Sequence, residues 1–363
     1  MKATATATAI AIATRVPVIL WGPPGTGKSR LIESIAARMG VPCEVVIASL
    51  REPSDFAGLP VVEHGNVRFA PPAWAVRLAQ AGWGILFLDE ISTSAPAVQK
   101  ALLRVVLDRV VGDLELPRGV AVVAAANPPE CAADGWDLAP PLANRFVHLE
   151  WRGLEVDEWA TALVSGEWPV PEVPVLPEEW EARPEATEAR VLVAAFLRAR
   201  PHLLHVMPTQ EDQAGRAWPS RRSWHTAARL LGAVRVVGAD EAVADLLVAG
   251  AVGEAAALEF LAWVRELDLP DPEELLADPA RYRHPARGDQ AYATLTAVVA
   301  AAVRNLTADR WAAAWAILGA AARAGGADVA AAAARELARH RGNLPMPPEV
   351  REFIPVLRAA GLM

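Results

Sequence analysis

The sequence predicts a doubly wound α/β domain with a five-stranded parallel sheet, followed by a helical region. Two observations predict the first part. Five short runs rich in Val, Ile and Leu alternate with amphipathic helical patterns across the first 150 residues. Most of these runs are apolar at consecutive positions, which is typical of strands buried on both faces of a parallel sheet. The third observation is that strand-like runs stop after residue 150, where helical patterns take over.

The predicted strands and helices follow one another in regular alternation. The strands are VILW (18–21), EVVIA (44–48), ILFL (85–88), VAVVAAA (120–126) and FVHLE (146–150). After the first strand, SRLIESIAARMG repeats apolar residues at helical spacing and ends at Gly40, a residue type common at helix C-termini. Before the fourth strand, PAVQKALLRVVLDR has Ser94 upstream as its expected N-cap. This alternation predicts the doubly wound arrangement.

Two predicted β-hairpins interrupt the alternation. The segment LPVVEHGNVRF (59–69) places a His-Gly-Asn turn between two β-prone arms, and RVVGDLELP (109–117) places a Gly-Asp turn likewise. Turn residues between β-branched or apolar arms favour hairpins. The alternative interpretation is a solvated surface loop at each position.

The second half of the chain is expected to be helical. The segment 166–186 is rich in Pro, Glu and Trp and is predicted to be an irregular connection. Helical patterns follow, and alanine, the strongest helix former, dominates from about residue 290. We therefore expect a helical C-terminal extension.

The composition limits the classes of partner. The chain has 363 residues, 53% hydrophobic and 21% charged, which is enough for two or three folded domains. Its net charge of −8, without a basic tract, disfavours nucleic-acid binding. No apolar stretch approaches the ~20 residues of a membrane-spanning helix. The N-terminal MKATATATAIAIATR carries threonines that weaken the apolar region of a signal peptide, and the two cysteines match no metal-binding spacing. We expect a cytoplasmic protein without a membrane partner.

A glycine-rich loop between the first strand and the first helix carries the strongest motif. From Gly22 to Ser29 the chain fits G-x-x-x-x-G-K-[ST] in the strand–loop–helix context that supports it. The glycines let backbone N–H groups turn towards phosphate oxygens, and the helix adds its positive end. Lys28 can reach the β- and γ-phosphates, and the Ser29 hydroxyl can coordinate Mg²⁺. The predicted nucleotide-binding residues are Gly22, Pro23, Pro24, Gly25, Thr26, Gly27, Lys28, Ser29 and Arg30.

Two adjacent carboxylates follow the third predicted strand in ILFLDE (85–90). In a nucleotide-binding α/β sheet the ligand lies beyond the carboxyl ends of the strands, so Asp89 can hold the Mg²⁺ carried by the nucleotide. Glu90 can polarise the water that attacks the γ-phosphate. Solvated acids at a strand end are the ordinary alternative, and the upstream phosphate loop favours the functional interpretation.

These segments resemble the motifs of the AAA+ ATPases between about residues 15 and 265. GPPGTGKS is similar to their Walker A box and ILFLDE to their Walker B box. AAANP (124–128) resembles sensor 1, which implies that Asn127 positions the attacking water. PLANRF (141–146) resembles the stretch before the fifth strand, which implies that Arg145 is the arginine finger. WPSRRSW (218–224) resembles the sensor 2 box, with Arg222 as the best match and Arg221 as the near alternative.

The two hairpins resemble the MoxR branch of this family, within the group that carries an insert in helix two. The resemblance implies ATP and Mg²⁺ as ligands and a homo-oligomeric ring, with a hexamer as the expected size. It implies chaperone-like remodelling of a protein substrate, with a protein bearing a von Willebrand factor A domain as one such partner. We expect three domains: an α/β nucleotide-binding domain (1–150), a helical lid (151–270) and an alanine-rich helical extension (271–363), and the resemblance does not cover residues 290–363.

Other functions remain open at the level of the sequence. A P-loop kinase acting on a small molecule would need an acceptor pocket and would not need Arg145 together with a lid arginine. A DNA-acting AAA+ motor or clamp loader is disfavoured by the acidic charge, and a nucleotide-gated scaffold would not need Glu90. GTP stays an alternative to ATP, because no base-reading residue can be identified.

Overall fold

The computed structural model describes residues 2–128, 131 and 136–362, and the chain forms two compact units. The first unit comprises Met1–Trp180 with Leu203–Leu258, and the second comprises Glu181–His202 with Glu259–Met363. The three-domain division expected from the sequence stays a prediction.

Five parallel strands form the central sheet of the first unit. The strands in chain order are β1 (Val18–Trp21), β2 (Cys43–Ile47), β3 (Leu59–Glu63), β4 (Asn66–Ala70), β5 (Trp83–Asp89), β6 (Val110–Val111), β7 (Leu114–Glu115), β8 (Gly119–Ala126) and β9 (Val147–Glu150). The central sheet has the order β2-β5-β8-β1-β9. Each of its strands lies within two residues of a predicted one, so the predicted parallel sheet is confirmed. Most of β5 and nearly all of β8 are buried, which explains their continuous apolar sequence.

Helices make up most of the remaining structure. They are α1 (Lys2–Ala13), α2 (Lys28–Met39), α3 (Ser54–Ala57), α4 (Ala73–Ala81), α5 (Pro96–Asp108), α6 (Pro140–Ala143), α7 (Val156–Ser165), α8 (Pro184–Ala199), α9 (Glu211–Ala214), α10 (Arg221–Val237), α11 (Glu241–Val252), α12 (Glu254–Arg265), α13 (Pro272–Ala277), α14 (Gly288–Arg304), α15 (Ala308–Ala321), α16 (Ala327–Arg339) and α17 (Ile354–Ala359). As predicted, α2 ends at Gly40, which has a left-handed φ of 66°. The expected N-cap of α5 is wrong: Ala95 occupies that position, because the Ser94 hydroxyl donates to the Ile91 carbonyl at 2.7 Å instead.

The N-terminal segment is part of the packing of the first unit. Residues 7–12 of α1 are all buried, and the helix packs against α11 and β9. Among the described residues, no helix combines the length and the apolar character that a bilayer crossing needs.

Both predicted hairpins are confirmed, and hydrogen bonds join one hairpin to the other. β3 pairs with β4, and β6 pairs with β7, in antiparallel registers. The Phe69 amide donates to Asp113 Oδ2 at 2.8 Å, and the Asp113 amide donates back to the Phe69 carbonyl at 3.0 Å. Gly112 lies at this junction with φ of 59°, where a Cβ would be 2.5 Å from the Phe69 carbonyl oxygen. The first hairpin exposes the apolar residues Leu59, Val62, Val67 and Phe69.

The second unit is helical, so the predicted helical character of the C-terminal extension is confirmed. Its core contains Trp311, Trp315 and Phe353, each fully buried. The two indole rings lie edge to face with centroids 5.7 Å apart, and Phe353 lies 5.9 Å from Trp315. Alanines on α14, α15 and α16 let these helices approach closely around the large aromatic residues.

Candidate nucleotide site

The phosphate loop runs from the end of β1 to the start of α2. Gly25 and Gly27 have φ of 79° and 84°, left-handed values that let the loop curl. At Gly22 a Cβ would lie 2.0 Å from the carbonyl oxygen of Trp151, so only glycine fits there. Because α2 begins at Lys28, the loop delivers the chain directly into a helix N-terminus, whose free N–H groups suit phosphate.

Lys28 is the centre of the loop's polar contacts. Its ammonium donates to the carbonyl oxygens of Gly22 at 2.6 Å and Pro23 at 3.0 Å, and to Asn127 Oδ1 at 2.9 Å. Burial lowers the pKa of Lys28, and the negative charge of Asp89 opposes that shift. The ammonium is thus held among oxygen atoms beside the predicted metal ligand, where a phosphate would find a positive charge.

Ser29 and Asp89 form the predicted metal pair. Ser29 Oγ donates to Asp89 Oδ2 at 2.8 Å, and the other carboxylate oxygen accepts from the Glu90 amide at 2.9 Å. A hydroxyl and a carboxylate at this distance are the hard oxygen ligands that Mg²⁺ prefers, and such a site takes its remaining ligands from phosphates and water. No cluster of three or more His, Cys, Asp or Glu residues suited to a metal occurs in the described part of the chain.

Glu90 follows β5 in an unusual backbone conformation. Its φ of 56° is left-handed, which is uncommon for a residue with a side chain. The conformation turns the chain away from the strand and leaves Glu90 exposed, where Oε2 accepts a hydrogen bond from Ser49 Oγ. Ser49 was not predicted from the sequence. It lies just beyond the end of β2, the strand that pairs with β5, so a polar residue at that neighbouring strand end was the available signal.

Asn127 lies directly beyond β8, as predicted. Its side chain contacts Lys28, and its backbone makes two hydrogen bonds with Ser92. The Asn127 backbone amide donates to Ser92 Oγ at 3.1 Å, and the Ser92 hydroxyl donates to the Asn127 carbonyl at 3.2 Å. Ser92 is only 3% exposed and was also missed by sequence reasoning. These two hydrogen bonds hold the side-chain amide of Asn127 towards the phosphate loop.

The carboxyl ends of β1, β5 and β8 therefore converge on one cavity of about 330 Å³. Its lining comprises Pro24, Gly25, Thr26, Gly27, Lys28, Ser29, Arg30, Asp89, Glu90 and Asn127. The structure thus brings together most of the predicted nucleotide-binding residues, both predicted metal ligands and two of the four predicted catalytic residues.

The predicted arginines lie elsewhere in the first unit. Neither Arg145 nor Arg222 lines the cavity around Lys28, and the alternative Arg221 does not either. Arg145 follows α6, donates from Nη1 to the Pro141 carbonyl, and buries an Nε that has no partner among the described residues. Burial lowers the pKa of Arg145, and the positive charge of Arg222 lowers it further. Arg221 and Arg222 are both exposed in the first turn of α10.

The comparison with known families is consistent with this geometry. Residues 17–146 match the model of the AAA domain, dynein-related subfamily. Residues 17–146 form a domain with the AAA+ fold. This AAA+ domain includes the phosphate loop, the Asp89–Glu90 pair, Asn127 and Arg145, whereas α10 with its two arginines lies beyond the matched residues.

Known relatives of the AAA+ domain differ in their described roles. The chain is 30% identical over 184 residues to the Holliday junction branch migration complex subunit RuvB of Picosynechococcus, covering 47% of this chain and 45% of that protein. It is 33% identical over 125 residues to the transcriptional regulatory protein XylR of Pseudomonas putida, covering 31% and 21%. The match spans less than half the length of either protein. A solved structure of a candidate ATPase from Cytophaga hutchinsonii is 16% identical, with a TM-score of 0.45 over 72% of this chain and 88% of that one.

A second cavity of about 370 Å³ adjoins the phosphate loop of the AAA+ domain. It shares Gly25, Thr26, Gly27 and Arg30 with the first cavity, and tryptophans form much of its remaining wall. Trp159 and Trp168 meet there edge to face with centroids 6.5 Å apart. Trp151 braces the loop itself, because its indole N–H donates to the Thr26 carbonyl at 2.9 Å. None of these three tryptophans was predicted as a site residue.

Proposed function

We propose that this protein is an ATP-hydrolysing AAA+ ring ATPase of the MoxR type, which couples hydrolysis to the remodelling of a partner protein. The observation that carries the hydrolytic part is the convergence of Lys28, Asp89, Glu90 and Asn127 on one cavity at the carboxyl edge of the sheet. Phosphate binding, metal binding and water activation each have a residue of suitable chemistry there.

Each residue of the cavity has a step in the proposed reaction. Lys28 would bind the β- and γ-phosphates, and its hydrogen bond with Asn127 supports a role for that amide beside the γ-phosphate. Ser29 and Asp89 would hold Mg²⁺, whose charge, when bound, offsets that of the phosphates. Glu90 accepts a proton from the attacking water as the water oxygen bonds to the γ-phosphorus and the bond to the leaving ADP oxygen breaks.

The second cavity is the proposed place of the nucleobase. A nucleotide held by its phosphates at Lys28 extends along the backbone of Gly25 to Gly27, which forms the shared wall of both cavities. The indole faces of Trp159 and Trp168 supply apolar surface for a purine. This arrangement supports a nucleoside triphosphate rather than an inorganic polyphosphate as the substrate.

The placement of the arginines supports a ring. Arg145 donates a hydrogen bond to the Pro141 carbonyl and does not line the phosphate cavity of its own chain. We therefore propose that its guanidinium group contacts the nucleotide of a neighbouring copy. An arginine supplied in this way stabilises the charge on the transferring phosphoryl group. We propose a homo-oligomeric ring, with a hexamer as the expected size, in which Arg145 and Arg222 face the next subunit's γ-phosphate.

The hairpins are the proposed substrate-contacting elements. Val62 and Val67 on the first hairpin are 75% and 64% exposed, and such apolar side chains are suited to a protein partner. The mutual hydrogen bonds of Phe69 and Asp113 would make both hairpins move as one body during the ATPase cycle. A protein with a von Willebrand factor A domain is the partner class that the MoxR assignment proposes.

A phosphate-release assay tests the hydrolytic proposal. Wild-type protein with Mg²⁺ and ATP is expected to yield ADP and free phosphate, whereas Lys28→Ala is expected to lose tight nucleotide binding. Glu90→Gln should bind ATP but release phosphate about 10²–10⁴-fold more slowly, because only the proton acceptor is removed. Glu352→Gln, an exposed acid of the second unit, is the matched control. Full turnover by Glu90→Gln, or a phosphorylated acceptor in place of free phosphate, would contradict the proposal.

The same Glu90→Gln protein tests the assembly and the partner. Loaded with ATP, it should form a ring that is visible by mass measurement, and a remodelled protein should remain bound because turnover is blocked. A monomer at all concentrations in the presence of ATP would contradict the ring.

A DNA-acting motor is the second candidate, because one relative of the AAA+ domain is a subunit of a Holliday junction branch migration complex. That function predicts salt-dependent DNA binding and ATP hydrolysis stimulated by DNA. The net charge of −8 favours the protein-remodelling proposal. Stimulation by DNA at physiological salt, without any by protein partners, would reverse this order.

A further inference from the structure

A buried side-chain amide lies between the two parts of the chain that carry the arginines. Asn144 immediately precedes Arg145 and is only 7% exposed. Its Nδ2 donates to the Trp218 carbonyl at 3.0 Å, and its Oδ1 accepts from Ser220 Oγ at 2.7 Å. Both polar groups of the amide are therefore used in one direction, towards the segment that precedes α10.

Ser220 is the N-cap of α10, so this contact reaches the start of that helix. Its Oγ accepts from the Ser223 amide at 3.1 Å, and the Ser220 amide donates to Ser223 Oγ at 2.8 Å. This capping box fixes the first turn, which contains Arg221 and Arg222. The position of Asn144 thus determines where the first turn of α10 lies relative to Arg145.

The turn after α6, on which Arg145 lies, is also connected to β1, the strand that leads into the phosphate loop. The indole N–H of Trp21 donates to His148 Nδ1 at 2.9 Å. Since an indole can only donate, Nδ1 carries no proton, and Nε2–H donates to the Ala143 carbonyl at 2.9 Å. Trp21 directly precedes Gly22, so hydrogen bonds connect the phosphate loop to the turn on which Arg145 lies.

We propose that Asn144 is a positioning residue that keeps Arg145 and Arg222 together as one cationic pair for the nucleotide of the neighbouring subunit. Two guanidinium groups repel each other, and Asp108 is the carboxylate whose charge opposes the effect of Arg222 on Arg145. The amide bonds of Asn144 hold the pair together before an anion arrives, so the phosphate meets a preorganised site. The inference rests on the proposed ATPase and on hydrolysis in trans.

The test compares Asn144→Ala with Arg145→Ala in steady-state hydrolysis and nucleotide binding. We expect kcat of Asn144→Ala to fall by about tenfold or more while the Kd for nucleotide stays within about threefold, because the phosphate loop is untouched. The double variant Asn144→Ala/Arg145→Ala should lose less activity than the two single losses combined, since both changes act on one unit. Asn305→Ala, an exposed asparagine in the second unit, is the matched control and should retain the wild-type kcat.

Mixed rings separate a positioning role from a merely structural one. Subunits with Asn144→Ala should regain hydrolysis when mixed with Glu90→Gln subunits, whose own arginines are intact. If Asn144→Ala does not fold, Ser220→Ala and Ser220→Thr replace it. Threonine keeps both the hydroxyl donor to Asn144 and the cap, so only the alanine variant should lose kcat.

The outcomes distinguish this inference from the proposed function. A kcat of Asn144→Ala within about twofold of wild type, an additive double variant, or a parallel loss of nucleotide affinity would each overturn the positioning role. If wild-type protein releases no phosphate, or Arg145→Ala is fully active, the proposed function itself fails. Loss of activity in Arg145→Ala with full activity in both Asn144→Ala and Ser220→Ala overturns the positioning role alone.

Discussion

The hydroxyl of Ser29 donates a hydrogen bond to Oδ2 of Asp89 at 2.8 Å, across 60 positions of the sequence. Ser29 lies at the start of α2, which follows β1, and Asp89 ends β5; in the sheet β8 lies between β1 and β5. The contact therefore spans the end of β8, where Asn127 bonds to Lys28. Three parallel strands thus deliver their carboxyl ends to one place, which is the property of the doubly wound fold that builds ligand sites.

Ser49→Ala tests whether the hydrogen bond to Glu90 orients the proposed base. Removing one hydrogen bond to a charged group costs about 1.5–3 kcal/mol, so we expect kcat to fall about 10- to 100-fold with little change in nucleotide affinity. Phosphate release and equilibrium nucleotide binding measure the two quantities. Ser49→Thr keeps the hydroxyl and should restore most of the activity. An unchanged kcat in Ser49→Ala would show that Glu90 does not depend on this contact.

Gly22→Ala tests the close approach between the phosphate loop and Trp151, the residue that follows β9. A Cβ at this position would lie 2.0 Å from a backbone carbonyl oxygen, so the loop must shift. We expect nucleotide affinity to fall by about tenfold or more, because phosphate binding needs the loop's backbone N–H groups in place. Gly288→Ala is the matched control, since a Cβ there meets no atom within 4 Å. Equal nucleotide affinities in the two variants, measured by titration, would contradict this account.

Arg145→Ala tests catalysis across subunits. We expect hydrolysis to fall about 10³-fold or more in a ring made only of this variant, because the transferring phosphoryl group then loses the positive charge of Arg145. Mixing with Glu90→Gln subunits should restore part of the activity, measured as phosphate release against the mixing ratio. Exchange of subunits between rings is verified with two affinity tags. Verified mixed rings without recovered activity would place Arg145 outside the catalytic site of its neighbour.

His148 predicts a pH dependence of stability for the first unit. Burial lowers the pKa of His148 to about 4, with the nearby positive charge of Arg216 acting in the same direction. Between about pH 6.5 and 4 the unfolded chain binds a proton here that the native chain does not, so stability falls as the pH falls through this window. We expect the free energy of unfolding to fall by about 2 kcal/mol between pH 7 and pH 5. Above about pH 6.5, His148 should cause little further change in the free energy of unfolding, because it is then neutral in both states.

Chemical denaturation at several pH values measures this effect. His148→Gln should be less stable at pH 7 but should lose less stability on acidification, because it cannot be protonated in this range. His64→Gln, at the exposed tip of the first hairpin, is the control and should keep the wild-type pH dependence. A His148→Gln protein with the same pH dependence as wild type would contradict the assignment.

The sequence could predict those parts of the site that depend on local order along the chain. The phosphate loop is continuous between β1 and α2, so its glycines, Lys28 and Ser29 share one strand–loop–helix unit. Asp89 ends the apolar strand β5 and Asn127 follows the apolar strand β8, and the carboxyl ends of parallel strands lie at the same edge of the sheet. The order of these motifs along the chain was therefore enough to place them in one nucleotide site.

The partners of these residues depended on which distant segments meet. Ser49 reaches Glu90 because β2 pairs with β5, and Asn144 reaches Ser220 because the turn after α6 lies against the start of α10. The prediction that Ser94 is the N-cap of α5 was also wrong, since its hydroxyl donates to the Ile91 carbonyl instead. Serines, asparagines and histidines occur throughout the chain, and nothing in their immediate sequence marks these from the rest.

By itself, the sequence determined the alternation of buried strands and helices and the chemistry at the strand ends. Periodicity and loop composition are local properties, written within about 15 residues of each position. Only the tertiary structure decided the strand order, the hydrogen bonds to Glu90 and Asn127, and the placement of Arg145 and Arg222 outside the cavity around Lys28. These features depend on packing between segments far apart in the chain. Buried polar groups form hydrogen bonds there with the partners that the fold brings within reach.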